Sequence, residues 1–210
     1  MTGLRMVAAL ALAWLLPSSA AGAQNGSIWG AVAVPEAGIT NVVVYLIPLG
    51  ASDARVTKPL AVEMDQRDLR FVPRVVAVTP GSTVTFSNSD DVVHNVFHPV
   101  ARGEGFDLGT WPRGERRDFR FENEGAYVIL CHVHPEMAGY VVVVASPYRA
   151  VTDDRGRFRL DGVAPGRYLL RTWHRLLRPH EEVVTVIAGR PVRVTLSLDL
   201  GAAREPTAKP

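Results

Sequence analysis

An all-β chain folded as two β-sandwiches is what this sequence predicts, on three observations. Short runs rich in β-branched and aromatic residues recur along it, among them "RVVAVTP", "STVTFSN", "RRDFRF", "AYVILC", "YVVVVA", "RFRL", "RYLLRTW", "EEVVTVI" and "PVRVTLSL". Turn-forming residues separate them: Pro80-Gly81 joins the first two, and "TDDRG", "APG" and "AGR" punctuate the later ones. Almost nothing carries helical apolar spacing. Regularly spaced short strands with Gly/Pro punctuation imply sandwiches. Strand alternation places Val84 and Phe86 on one shared face, and likewise Phe158 and Leu160.

The chain opens on Arg5 and the 12-residue apolar run "MVAALALAWLLP", followed by "SSAAGA". Ala21-Gly22-Ala23 fits a small-residue cleavage site, so residues 1–23 are expected to be a signal peptide cut before Gln24. The run is short for a membrane span and no later stretch approaches that length, so no span is expected after cleavage; an uncleaved anchor is the alternative. The expected location is periplasmic or secreted. The 187 residues from Gln24 onward suit one or two domains. They carry 22 basic and 21 acidic side chains, a balance that gives no sign of nucleic acid as partner. Charge is unevenly spread. Between 61 and 145 eight arginines face 12 acids, and between 149 and 180 eight arginines face three aspartates. Regions of opposite sign attract each other or steer a partner; two ordinary solvated surfaces are the plainer reading. The tail at 201–210, "GAAREPTAKP", has no apolar pattern and is expected to be disordered.

The one cysteine of the chain stands in "YVILCHVHPEMAGYVVV". In an oxidising compartment a single thiol has no partner within the chain, which leaves metal ligation as its obvious use. Residues three apart on an extended strand lie about 10 Å from each other on opposite faces. Cys131, His134 and Met137 can therefore meet only if the chain curls after Cys131, where Pro135 stops the ladder and Gly139 is expected to permit the turn back. A further ligand is expected from His94 in "SNSDDVVHNVFH". His98, four residues along, would lie about 13 Å away on an extended strand, and His132 should project away from the face of Cys131, so both read as surface or supporting residues. Two imidazoles, a thiolate and a more distant thioether form the ligand set of a blue-copper electron-transfer centre. Zinc fits less well, since structural zinc sites use several cysteines or histidines and avoid thioether. A buried free cysteine beside incidental histidines is the plain alternative.

The stretches "FVPRVVAVTPGSTVTFSNSDDVVHNVFH" and "AYVILCHVHPEMAGYVVVV" resemble the cupredoxins, small Greek-key blue-copper proteins of the plastocyanin and amicyanin group. The short C-x2-H-x2-M loop is most similar to that of amicyanin. The resemblance implies one type 1 copper, with His94, Cys131 and His134 as strong ligands and Met137 as the weak axial one. It also implies that Asn95 fixes the ligand loop by hydrogen bonding. His132 departs from the pattern by adding a possible donor nearby. The function expected is single-electron transfer with a redox partner protein, cytochrome-like or dehydrogenase-like, by a monomer that is not an enzyme. Multicopper oxidases also use "HVH", but they need histidine on both sides of the bridging cysteine, and Leu130 precedes Cys131. Six histidines are too few for a type 1 site plus a trinuclear cluster. Copper storage or delivery needs the same ligands and stays open. Met64, in "AVEMDQ", reads as packing.

A second, weaker resemblance lies at the other end. "VTDDRGRFRLDGVAPGRYLLRTW" is similar to the carboxypeptidase regulatory-like, or transthyretin-like, β-sandwich, and "GSIWGAVAVPEAGITNVVVYLIP" looks like the opening strands of the same fold. Such modules are structural or adhesive, and nothing here supports peptidase chemistry. Tyr168 and Trp173 read as packing, and His174 and His180 as surface residues. Residues 146–200 supply only four clear strands, against the roughly seven of an immunoglobulin-like sandwich. We therefore expect the strands within 24–60 to complete that sandwich, with 61–145 inserted as a copper-binding domain; early strands extending the cupredoxin sheet are the competing arrangement.

Overall fold

The computed structural model describes residues 24–36, 38–50, 57–99 and 105–201; the expected signal peptide and almost all of the expected tail lie outside them. Every regular element among the described residues is a strand. In chain order these are β1 Gly26–Ala33, β2 Val43–Pro48, β3 Ala61–Arg67, β4 Arg70–Val72, β5 Val75–Val78, β6 Ser82–Asn88, β7 His94–His98 and β8 Phe106–Trp111. They continue with β9 Arg116–Phe121, β10 Gly125–Leu130, β11 Ala138–Val143, β12 Arg149–Val151, β13 Arg157–Val163, β14 Gly166–Trp173, β15 Glu181–Val186 and β16 Pro191–Ser197.

Four sheets result, with strand orders β13-β1-β16, β12-β2-β14-β15, β5-β11-β10-β7-β8 and β4-β3-β6-β9. The first two face each other across a core that includes Ile28, Val44, Leu46, Leu160, Tyr168, Leu170 and Leu196. The other two enclose Met64, Phe71, Val84, Phe86, Phe121, Ile129 and Val141. β1 runs parallel to β16 and antiparallel to β13, while β2 lies between β12 and β14. The early strands thus pair with the late ones. The chain leaves the first sandwich after β2 and returns at β12, which is hydrogen-bonded beside it with Arg149 opposite Tyr45.

Half-buried strands follow the alternation of their sequence. In β6, Ser82, Val84, Phe86 and Asn88 are buried and the residues between them are partly open. The turn before it is closed by the Ser82 N–H donating to the Thr79 carbonyl at 3.1 Å, with Pro80 and then Gly81 (φ 80°) at its centre. That is the order a type II turn requires.

Two strands break the alternation, and the reason is tertiary. In "VVVYLIP" Val44 and Leu46 enter the first core, while Val43 and Tyr45 turn to the opposite face. In "YVVVVA" Val141 and Val143 enter the second core, while Val142 and Val144 point out of it. Those outward faces meet: Val43, Val75, Val142 and Val144 form a third buried cluster, bordered by Tyr45, Tyr140 and Trp173. The two sandwiches are stacked back to back through this seam. The Arg149 guanidinium crosses it to donate to the Ala77 carbonyl at 3.1 Å. Burying a valine contributes about 1.5–3 kcal/mol, and a charged hydrogen bond about the same, so the four valines dominate.

Two expectations are corrected. Gly139 does not make the turn back: it sits within β11 opposite Ile129, and a Cβ there would lie 2.9 Å from the Phe71 Cβ. Its smallness admits Phe71 to the second core. His174 is no surface residue, being partly buried beside the seam in the cavity that Arg74, Tyr140 and Trp173 also line.

Candidate metal centre

The antiparallel ladder that holds β7 against β10 places Leu130 opposite Phe97. Continued beyond Leu130, the chain runs past Asn95 toward His94, the first residue of β7. It then leaves the ladder for seven residues and re-enters at Ala138, which pairs with Leu130. The loop 131–137 is tightened at its far end, where the Met137 N–H donates to the His134 carbonyl at 3.0 Å across Pro135-Glu136.

This curl gathers His94, Cys131 and His134, whose donor atoms all lie within 4.8 Å of one another. The Cys131 Sγ is 3.9 Å from the His94 Nδ1, and the two histidine Nδ1 atoms are 3.0 Å apart. The imidazole rings meet edge to face with centroids 4.7 Å apart. His94 is fully buried and Cys131 is 3 % exposed, while His134 is half-buried toward the surface. Met137 ends the same loop, 1 % exposed, in the core cluster that also holds Cys131.

His98 and His132 stand outside the donor group. The His98 Nδ1 is 2.8 Å from the Val128 carbonyl oxygen, and its ring lies against Tyr127 and Phe106. His132 turns outward, stacks on Phe97 with centroids 3.6 Å apart and places its Nε2 3.5 Å from the Asp107 carboxylate. Met64 is fully buried in the second core.

Asn95 straps the loop to the sheet. Its backbone N–H points at the Cys131 Sγ at 3.4 Å, and its side-chain oxygen accepts the His132 N–H at 3.3 Å. Its side-chain amide donates to Asp107 Oδ1 at 2.7 Å and to the Gly109 carbonyl at 2.9 Å. Asp107 is held below the ordinary carboxylate range, chiefly by the Gly109 N–H, with Asn95 and His132 adding to this against the opposing effect of burial.

Asp90 is the residue that sequence reasoning missed. Its Oδ2 lies 2.9 Å from the His94 Nε2. A carboxylate there accepts the Nε2 proton, which leaves the Nδ1 lone pair free and aimed at Cys131 and His134. Asp90 also accepts the N–H groups of Asp68 at 2.7 Å and Leu69 at 3.0 Å. Those two residues form the two-residue turn between β3 and β4, both with positive φ (54° and 55°), as a type I′ hairpin demands. Burial is the largest single influence on the Asp90 pKa and raises it, yet the bonds from Leu69, His94 and Asp68 together bring it below the usual value. The only available signal was its position four residues before His94.

The donor set decides what can bind. Two inward imidazole nitrogens and one buried sulfur that already accepts an N–H suit a thiophilic transition metal rather than a hard cation. The two sheets around the second core form a β-sandwich that carries this donor group. Residues 59–144 match the family model for copper binding proteins of the plastocyanin/azurin family, and residues 136–199 match that of the carboxypeptidase regulatory-like domain. The cofactor this centre is suited to is one copper ion.

Solved structures similar to the chain include a Cu-containing nitrite reductase from Thermus scotoductus SA-01, at 30 % identity over 45 % of this chain and 25 % of that one, with a TM-score of 0.38. The chain thus spans about a quarter of that reductase. A purple cupredoxin from Nitrosopumilus maritimus is similar at 26 % identity over 40 % of this chain and 99 % of its own, TM-score 0.36. Amicyanin from Paracoccus versutus is similar at 20 % over 50 % of this chain and 100 % of its own, TM-score 0.38. Among curated proteins nothing matches.

Proposed function

We propose that this protein is an exported carrier of single electrons in which His94, Cys131, His134 and Met137 hold one type 1 copper. The observation that carries the reading is the convergence of the His94, Cys131 and His134 donor atoms within 4.8 Å of one another. Bound there, copper supplies a Cu(I)/Cu(II) couple. The chain's own residues do the rest. Cys131 ligates as thiolate, its sulfur steadied by the Asn95 N–H. Asp90 holds the proton of His94 on Nε2, away from the metal side. Burial of His94, Cys131 and Met137 would keep water from a copper ion held there.

His134 is the electron port in this reading, because it alone of the three gathered donors reaches toward the surface. Exposed Val92, Val93 and Val133 (44, 46 and 42 % exposed) lie next in sequence to His94 and His134 and offer a redox partner protein an apolar contact. No helix of the described residues is long and apolar enough to cross a membrane; export rests on the leader-like residues 1–23.

The proposal extends to domain organisation. Residues 61–145 form the copper unit, inserted between β2 and β12 of a carboxypeptidase regulatory-like sandwich made from β1, β2 and β12–β16. The pairing of β1 with β13 and β16, and of β2 with β12 and β14, supports it.

The test is copper loading of the purified chain followed by visible absorption. An intense thiolate-to-copper charge-transfer band, lost in Cys131→Ala, is expected. A colourless Cu(II) complex, or a band that survives Cys131→Ala, overturns the site. Fast reversible one-electron exchange with a small redox protein supports the carrier role, whereas stoichiometric loss of copper to an acceptor without such exchange points to delivery.

A further inference from the structure

The basic stretch between 149 and 180 has no part in the metal centre, and three of its eight arginines are ion-paired among the described residues. Arg157 pairs with Asp153, Arg159 with Asp161 and Arg171 with Glu181. Arg149 and Arg178 donate to carbonyls, whereas the guanidiniums of Arg155, Arg167 and Arg175 show no ion pair or hydrogen bond among the described residues, and the same holds for Arg74 of the other sandwich. Of these, Arg74 and Arg175, both exposed, line a cavity of about 70 Å³ at the edge of the seam.

The walls of that cavity come from both sandwiches. Arg74 and Tyr140 belong to the copper unit; Asn41, Trp173, His174 and Arg175 belong to the other. Tyr140 and Trp173 stand with ring centroids 5.5 Å apart. No acidic residue lines the space. His174 accepts the Leu176 N–H at its Nδ1, at 3.2 Å, which places the ring proton on Nε2 as a further donor. Burial, then the charges of Arg175 and Arg74, push its pKa down to about 4, so the ring is neutral at pH 7. Two exposed guanidiniums without a partner beside one partly enclosed space, which no acid lines, are what an oxyanion would neutralise.

We propose that this seam cavity binds a small oxyanion, a phosphate or carboxylate group, between Arg74 and Arg175. At about 70 Å³ the cavity matches a compact anion or the head of a larger one. Because Arg74 and Arg175 belong to different sandwiches, a bound anion bridges them, and by linkage it raises the stability of the stacked arrangement. The inference does not depend on copper.

Calorimetric titration of the full chain with inorganic phosphate and, separately, with acetate tests it, each measured against sodium chloride at equal ionic strength. One-to-one saturable binding of either anion is expected, and which one binds identifies the head group. Arg74→Gln and Arg175→Gln should each weaken it about tenfold, roughly 1.4 kcal/mol, while Arg155→Gln, outside the cavity, should leave it unchanged. A matching rise in thermal midpoint with the wild-type chain is expected at saturating anion. Absence of saturable heat with both anions overturns the proposal, as does binding that chloride abolishes or that neither arginine substitution weakens.

Discussion

Replacing Asp90 by alanine removes the acceptor of three hydrogen bonds, and the structure separates their costs. The Asp68 and Leu69 N–H groups sit on an exposed turn where water takes over, so each loses only about 0.5–1 kcal/mol. The His94 side chain is fully buried, so its Nε2 proton is left without a partner, which costs about 1–3 kcal/mol. The expected loss is therefore about 2–5 kcal/mol in the metal-free protein. At a urea dependence of about 2 kcal/mol per molar, the unfolding midpoint falls by roughly 1–2.5 M. The assay is urea unfolding of the metal-free full chain followed by far-ultraviolet circular dichroism. Asp91→Ala is the control: its only partner among the described residues is the exposed Arg113, an ion pair of a kind that contributes little, so its midpoint should barely move. A midpoint for Asp90→Ala within about 0.3 M of wild type, by the same scale, would refute the view that this carboxylate fixes the His94 ring. In the copper-loaded protein the lost negative charge should favour Cu(I), so the potential of Asp90→Ala should rise.

Met137→Gln should keep copper and lower the potential, since a harder oxygen donor favours Cu(II), whereas Met64→Leu, in the second core, should leave it unchanged; voltammetry showing the reverse would remove Met137 from the site. Gly139→Ala should cost about 1–3 kcal/mol by overpacking against Phe71, read from thermal unfolding. His174 has a folded pKa lowered from 6.5 to about 4, so the unfolded chain binds the extra proton first and stability falls as pH drops from about 6.5 toward 4. Discounted for partial solvent screening, the loss is on the order of 1–2 kcal/mol. His174→Gln should flatten that slope in unfolding measured across the window, and an unchanged slope would contradict the burial argument.

The class of fold and a soft-ligand donor group were legible in the sequence alone. Strand alternation such as that of 82–88 is a local property, because side chains on a pleated chain point to opposite faces whatever lies beyond them. A single cysteine with histidines and a methionine within six residues is likewise a local statement about soft ligands. Other features had no local signature. β8, "FDLGTW", lacks clean alternation and contains Gly109 at φ 76°, so only its ladder with β7 makes it a strand. Asp90 and His94 would lie about 13 Å apart on an extended chain, and the bend between β6 and β7 brings them to 2.9 Å. Gly139 reads as a turn residue until Phe71 is seen above it. The valine runs of β2 and β11 show only that both faces are buried. What each face is buried against depends on residues a hundred positions away, and only the stacking of the two sandwiches decided it.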